Sequence, residues 1–449
     1  MPSVRMGLSA NSYYGWRVLL VAAAAMVGTL PGRTQGLGLI TEPLLADLSL
    51  DRVTYAEMNF WATILGAAGA IGMGHAIDRL GSRGVLTVVS IALGLIVCAM
   101  SQTTSAATLA VWLTLTRAFG QSALSVISLA MVGHWFVRRI DLAMAVYSVL
   151  MSIGFMAAFP IVGLVVQRSG WRIAWLGIGC TLILVLAPAA WVIVRRSPES
   201  CGLAPDGSPP AAPIPNPRIK SPIPNPQSTI NQQSPINEST MHEPLTGHTW
   251  RVAVRTPAFW VFAIGTALYG LVASGIGLFN ESILAERGFG PQVYYETLVV
   301  TAITALAGNF VGGWLARWVS LSILLSASLA VLAGGVAALP YVSTFWHVMV
   351  WATAMGLGGG LLMVLFFSVW ARAFGRRDLG RIQGIAQALT VLASAVGPLL
   401  LAWCVERTGS YAAMFHLLAG VIVCVACAGL VVSLPTPPGV PAVARAQSS

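Results

Sequence analysis

Two arginines lie inside runs of apolar residues, and any chemistry is to be sought there first. Arg33 sits in GTLPGRTQGLGLITEPLLADL, Gly28 to Leu48, and Arg117 in LTLTRAFGQ. A guanidinium near the middle of a bilayer costs roughly 3 kcal/mol on insertion scales, so it is retained mainly where it faces water, a partner or a ligand. At about 100° per residue, Thr114, Arg117, Gln121, Ser125 and Ser128 share a stripe roughly 80° wide. A polar stripe on an apolar helix must face a cavity or another polar surface. The acidic residues of this half lie elsewhere, Glu42 and Glu57 toward one end of their spans and Asp78 and Asp141 toward the other. An uncompensated positive field suits an anion, and a planar guanidinium suits a carboxylate bidentately. The alternative is that carbonyls or an outer glutamate neutralise each arginine within the fold.

The elements that must position these residues follow from composition. Of 449 residues 56% are hydrophobic and only 9% charged, against about a quarter charged in soluble domains. The fold class is therefore an all-α membrane protein. The net charge of +10 does not point to nucleic acid, because the basic residues sit in short loops between apolar spans, where they set membrane orientation. Runs long enough to cross about 30 Å of hydrocarbon occur at 16–41, 53–77, 84–101, 106–134, 141–166 and 171–194, and again at 257–284, 291–316, 320–340, 344–371, 379–403 and 411–434. The first span leads on directly from the N-terminal residues and is expected to serve as the insertion signal.

Between the two sets lies 195–256, which holds twelve of the 25 prolines and the sequence PIPNP twice. Proline at that density opposes helix and sheet ladder alike, so this segment reads as a disordered or polyproline-like linker. The expected organisation is a six-helix bundle over 1–194, the linker 195–256, a second bundle over 257–434 and a disordered tail over 435–449. With the N-terminus cytoplasmic, eighteen of 25 Lys and Arg fall in cytoplasmic segments, which puts both termini on the inner face of the cell membrane.

The halves are related by sequence. A shift of 239 residues matches Gly38 with Gly277, Glu42 with Glu281, Asp47 with Glu286, Tyr55 with Tyr294, Glu57 with Glu296 and Gly74 with Gly313. Two homologous halves related by an axis along the membrane normal are one of the repeat architectures of secondary transporters, with substrate held between them near the midplane.

After the second span comes GHAIDRLGSR. It resembles the signature loop of the major facilitator superfamily, G-x-x-x-D-R-x-G-x-R, carried here by Gly74, Asp78, Arg79, Gly81 and Arg83. The resemblance implies twelve helices in two six-helix pseudo-repeats, alternating access, and an inner gate in which Asp78 pairs with a neighbouring helix and a loop arginine. Setting orientation alone is the other reading of Arg79 and Arg83. The equivalent loop of the second half has Arg317 where the first has Asp78.

Arg117 resembles the superfamily's membrane-embedded fourth-helix arginine, with Gly120-Gln121 in place of its Q-G. Since the first and fourth helices of the superfamily line the central cavity, the resemblance implies that Arg33 and Arg117 both face it. The second half has Val272 and Gly356 opposite them, and offers instead the run GLGGG and a stripe of Gln383, Gln387, Thr390 and Ser394. YYGWRVLL before the first helix and FGRRDLGRIQGIAQ with Gly397-Pro398 in the eleventh are similar to bacterial organic-anion and monocarboxylate carriers. Monocarboxylate and oxalate carriers also place an arginine in the eighth helix, which this chain lacks before Arg317.

The expectation is a monomeric secondary transporter of a small organic anion, with proton symport as one option. Arg33 and Arg117 contact the anion, and Gln121 and Gln387 give polar support. Glu42 and Glu281, repeat-matched near the outer ends of the first and seventh spans, serve as outer gate or proton-coupling site. No cofactor and no metal are expected: His75, His134, His347 and His416 lie singly, and Cys424 with Cys427 reads as packing. One alternative is an efflux carrier for apolar compounds, with Trp112, Phe155, Phe159 and Trp351 lining a greasy cavity. Another is a transport-dead sensor on the same fold. An enzyme would need nucleophile, base or metal ligands converging at one depth, and no such set is present in the sequence.

Overall fold

The computed structural model describes residues 13–67, 73–136, 139–195, 198, 201, 203, 247–375 and 378–435, with the side chains of 73–80, 140–141, 367, 371 and 380 outside the description. The described chain is almost wholly helical, as a bilayer requires, because in hydrocarbon each backbone group must find its partner within the helix. Eleven segments are long and apolar enough to cross a membrane, from Gly15–Gly32 to Ala412–Val431. The second span adds the twelfth: it is described over Arg52–Ala67 and again from Met73 onward. The chain thus forms two six-helix halves. Tyr13 and Pro435, where the described chain begins and ends, lie at one end of the bundle, called the terminal end here, and the opposite end is the far end.

Duplication is visible in the packing. In the first half the third span meets the sixth at Gly94 and Gly179, where a Cβ on either would lie under 3 Å from the other's carbonyl oxygen. In the second half the ninth meets the twelfth, where Ser326 donates to the Ala426 carbonyl at 2.7 Å. Gly66 gives room to Arg117 where the second and fourth spans cross; in the second half Gly356 gives room to Ala305 where the eighth and tenth cross. These are the same two repeat positions, with the glycine on opposite partners. Gly308 and Gly312 bring the eighth span against Leu357 and Leu361 of the tenth, which is the close helix contact that a G-x-x-x-G pair permits.

The halves meet at the far end. Gly38 of the first span rests on the carbonyl of its own repeat mate, Gly277 of the seventh, and Gly163 of the fifth rests on the ring of Tyr295 in the eighth. A residue touches its repeat mate only where the two-fold axis passes between them, so the axis runs through the Gly38–Gly277 contact.

Two features depart from the sequence reading. The span read as one helix over 16–41 is broken: Gly15–Val27 is α-helix, Leu30–Gly32 a 3₁₀ turn, and Thr34–Gly38 and Thr41–Leu48 short helices. Pro31 offers no N–H to the preceding turn, and Arg33 is extended with φ −93° and ψ 149°. Residues 247–256, inside the segment read as a linker, dock on the terminal end of the second half. There the His248 amide donates to the Phe374 carbonyl at 2.8 Å, and the Trp250 amide to Asp378 at 3.0 Å. The proline-dense part of the linker, 204–246, and the tail beyond 435 lie outside the described residues.

Candidate functional site

The break in the first span carries the first candidate residue. Arg33 stands at the hinge between the 3₁₀ turn and the short helix Thr34–Gly38, half-buried. Its Nε donates to the Thr29 hydroxyl at 2.7 Å, and that hydroxyl donates on to the Met26 carbonyl at 2.6 Å. Its Nη2 lies 2.9 Å from the Met26 sulfur, and the guanidinium sits over the Phe155 ring at 5.3 Å. Phe155 in turn stacks on Phe159, centroids 5.6 Å apart. Among the described residues no carboxylate pairs with Arg33, and no hydrogen bond engages its Nη1. A helix break near the midplane with a polar group aimed from it is the arrangement in which transporters hold small ions.

Arg117 is held quite differently. It begins a π-helical stretch, Arg117–Leu124, in the fourth span and is only 2% exposed. Nη1 donates to Gln121 Oε1 at 2.7 Å, Thr34 Oγ1 at 2.9 Å and the Gly32 carbonyl at 3.3 Å, while Nη2 donates to Asn59 Oδ1 at 3.0 Å. The wide π-turn lies against the broken first span: a Cβ on Gly32 would sit 2.5 Å from the Thr116 carbonyl oxygen and 2.8 Å from the Gln121 nitrogen. Arg117 therefore binds three spans together through neutral oxygens, with only its Nε left without a partner.

The two arginines expected in one cavity thus turn to different neighbours, Arg33 to the fifth span and Arg117 to the second. Gln121 is brought to Arg117. Gln387, on the eleventh span, is exposed, and no contact joins it to Arg33 among the described residues. Sequence reasoning missed Thr29 and Asn59. Thr29 is signalled by its i, i+4 spacing from Arg33, and Asn59 by being a lone amide in an apolar run.

Of the inner-gate set, Gly74 lies in a described helix, while the side chains of Asp78 and Arg79 fall outside the described residues. Gly81 turns the chain from the second span into the third with φ 77° and ψ 153°, a conformation open essentially to glycine alone. Arg83 lies over the indole of Trp191 in the sixth span at 4.0 Å, with its Nε buried and unpartnered.

At the far end, Glu42 pairs with Arg52 at 2.8 Å and Asp47 with Arg172 at 2.9 Å. Glu286 pairs with Arg287 at 2.8 Å and accepts from the Ser410 hydroxyl at 2.6 Å. Asp51, just before the second span, accepts from the Thr54 hydroxyl at 2.6 Å and amide at 2.8 Å, and these bonds hold its carboxyl below the usual carboxylate range. Glu281 makes no ion pair among the described residues.

Twelve apolar helices in two sequence-related halves, with two arginines set inside the first half, define a multi-pass membrane protein. The Major Facilitator Superfamily profile matches residues 6–336 and 262–448, and the chain belongs to that superfamily. Monocarboxylate transporter 12-B of Danio rerio is 26% identical over 306 residues, covering 65% of this chain and 60% of the relative, so the match spans less than two thirds of that relative's length. Two crystal structures of a bacterial homolog to the human lysosomal transporter Spinster, in inward-facing unoccupied and occupied conformations, share the fold with TM-scores of 0.61 and 0.60. Each is 13% identical and covers 93% of this chain, and 95% and 92% of the respective solved chains are matched.

Proposed function

We propose that this superfamily transporter carries a small organic anion, a carboxylate, by alternating access, and that Arg33 is the group that receives it. The observation that carries this reading is the state of Arg33: half-buried at a helix break, without a counter-ion, and with Nη1 unengaged. Thr29, Met26 and Phe155 hold its Nε, its Nη2 and one face, which leaves the Nη1 protons and one on Nη2 for bidentate contact. The name of the Danio rerio relative, a monocarboxylate transporter, agrees with this chemistry. Arg117 is assigned instead to holding the broken first span against the second and fourth.

The two halves, 1–194 and 257–434, are proposed to rock about the axis through Gly38 and Gly277, with 195–256 as connector and 435–449 as a tail. In this scheme the chain is a monomer of the inner membrane with both termini cytoplasmic. Glu42 and Glu281 lie at the outer gate, and Asp78, Arg79 and Arg83 at the inner one. The test is uptake into proteoliposomes across a panel of monocarboxylates, dicarboxylates and a cationic dye, with and without a proton gradient. Saturable carboxylate uptake is expected. Dye movement without carboxylate uptake would replace this reading with efflux of amphipathic compounds, for which the Phe155–Phe159 stack would supply the apolar wall.

A further inference from the structure

The far-end contact between the halves contains a carboxylate that no cation pairs with among the described residues. The ion pairs there are Arg52 with Glu42 and Arg287 with Glu286. Each cancels within itself, and Glu281 remains. Its Oε2 is buried and has no hydrogen-bond donor. From the first half it is faced by Glu42, a like charge whose own Oε1 is also buried without a donor. From the eighth span it is faced by Tyr294 and Tyr295. Tyr294 is 0% exposed, its hydroxyl has no partner, and that oxygen lies 3.1 Å from where a Cβ on Gly38 would stand. Other ionisable groups of the junction are bonded to neighbouring residues or exposed. Tyr411 shares a hydrogen bond with Ser282 at 3.0 Å, Asp51 caps the second span, and Glu406 is exposed.

A partly buried contact that sets an unpaired carboxylate oxygen against a second carboxylate is costlier in the charged form than in the neutral one. When the halves part, water reaches the buried oxygen of Glu281 as well, and the charged form becomes the stable one. Access is one-sided: a crevice of about 420 Å³ lined by Glu42, Asp51, Arg52 and Glu406 reaches the junction from the far-end surface. Toward the interior, the Gly38–Gly277 backbone contact stands in the way.

We propose that Glu281 is a proton-operated latch. Its carboxylate takes one proton from the far-side solution as the far end closes and returns it to the same side as it opens, so that the latch itself moves no proton across the membrane. Acid on the far side then favours closure there. This rests on the alternating-access reading above, and it separates the roles of the repeat-matched pair: Glu42 is paired with Arg52, and Glu281, without an ion-pair partner among the described residues, is the latch.

The test uses the full chain in nanodiscs, with its native cysteines replaced and spin labels at Ala46→Cys, in the crevice wall, and at Arg407→Cys, next to the wall residue Glu406 of the other half. The expected result is two distances whose closed-to-open ratio rises up to about tenfold for each unit of acidification, the slope for uptake of one proton. In Glu281→Gln the closed distance should prevail at every pH. Arg52→Gln leaves Glu42 without its counter-ion, so closure takes up a second proton and the slope steepens toward about a hundredfold per unit. This second variant keeps the test decisive should Glu281→Gln not fold. Two distances with a ratio indifferent to pH, or a Glu281→Gln chain that keeps the wild-type slope, would overturn the latch and leave the carrier reading standing. A single distance at every pH and with every carboxylate would overturn both.

Discussion

Replacing Arg33 by Gln is the perturbation that bears most directly on the proposed site. In the folded chain the guanidinium spends one N–H on Thr29 and one on the Met26 sulfur, leaving both Nη1 protons and one on Nη2 for an incoming carboxylate. Hydrogen bonds to a charged group are worth about 1.5–3 kcal/mol each when measured by deletion. Part of that is offset here because the site is half-open to water, so a net loss of about 2–3 kcal/mol is expected, or roughly 30- to 160-fold in Kd. Arg33→Lys keeps the charge but not the planar fork or its fit against Phe155, and should fall between, at about tenfold. The assay is carboxylate binding to the purified chain in nanodiscs by calorimetry, with thermal unfolding run in parallel to show that the variants fold. A Kd that stays within about twofold of wild type in Arg33→Gln, far short of the factor implied by those lost hydrogen bonds, would refute the assignment of Arg33 as the anion contact.

Other substitutions test the supports of the site. Arg117→Met should lower stability by about 3 kcal/mol or more, because Asn59, Gln121 and Thr34 lose a charged donor inside the bundle; a chain melting as wild type does, with weakened carboxylate binding, would return Arg117 to the binding site. Gly38→Ala places a methyl against the Gly277 carbonyl, and should slow transport while leaving Kd nearly unchanged, since it obstructs closure rather than the anion contact; a raised Kd with normal turnover would contradict this. Gly81→Ala forces a side chain into φ 77°, at about 1–3 kcal/mol, and should appear as a lower unfolding midpoint.

Much of this molecule was legible in the order of its residues because the bilayer is so strict a solvent. Length, apolarity and the run of basic loops leave few alternatives to a helical membrane protein, and the match of Glu42 to Glu281 and Tyr55 to Tyr294 required two related halves. The same shift finds its counterpart in the backbone. Ile40, with φ −117° and ψ 0°, and Phe279, with φ −113° and ψ 16°, are repeat mates, and both interrupt their helices at the same place. The break at Arg33 has no such mate, since Val272 lies within a continuous stretch of the seventh span. The singular arginine and the singular break thus coincide, and Pro31-Gly32 was the local sign of it.

The direction in which each arginine points was not legible. Periodicity places Arg117 and Gln121 on one face of a helix, but it does not say whether that face meets a cavity or a neighbouring span, and a π-turn alters the angle between them. That choice was made by three glycines: Gly32, Gly66 and Gly120 bring the first, second and fourth spans so close that the Arg117 side chain is enclosed by backbone and amide oxygens. Arg33 follows Gly32 directly, yet its guanidinium lies over Phe155 of the fifth span instead of among those backbones. From its sequence alone this protein is a duplicated bundle of membrane helices carrying two costly charges, because the cost of a charge in hydrocarbon depends only on residue type and depth. Which of those charges is satisfied and which is left to seek a ligand depends on how closely neighbouring backbones approach, and only the packed structure decides that.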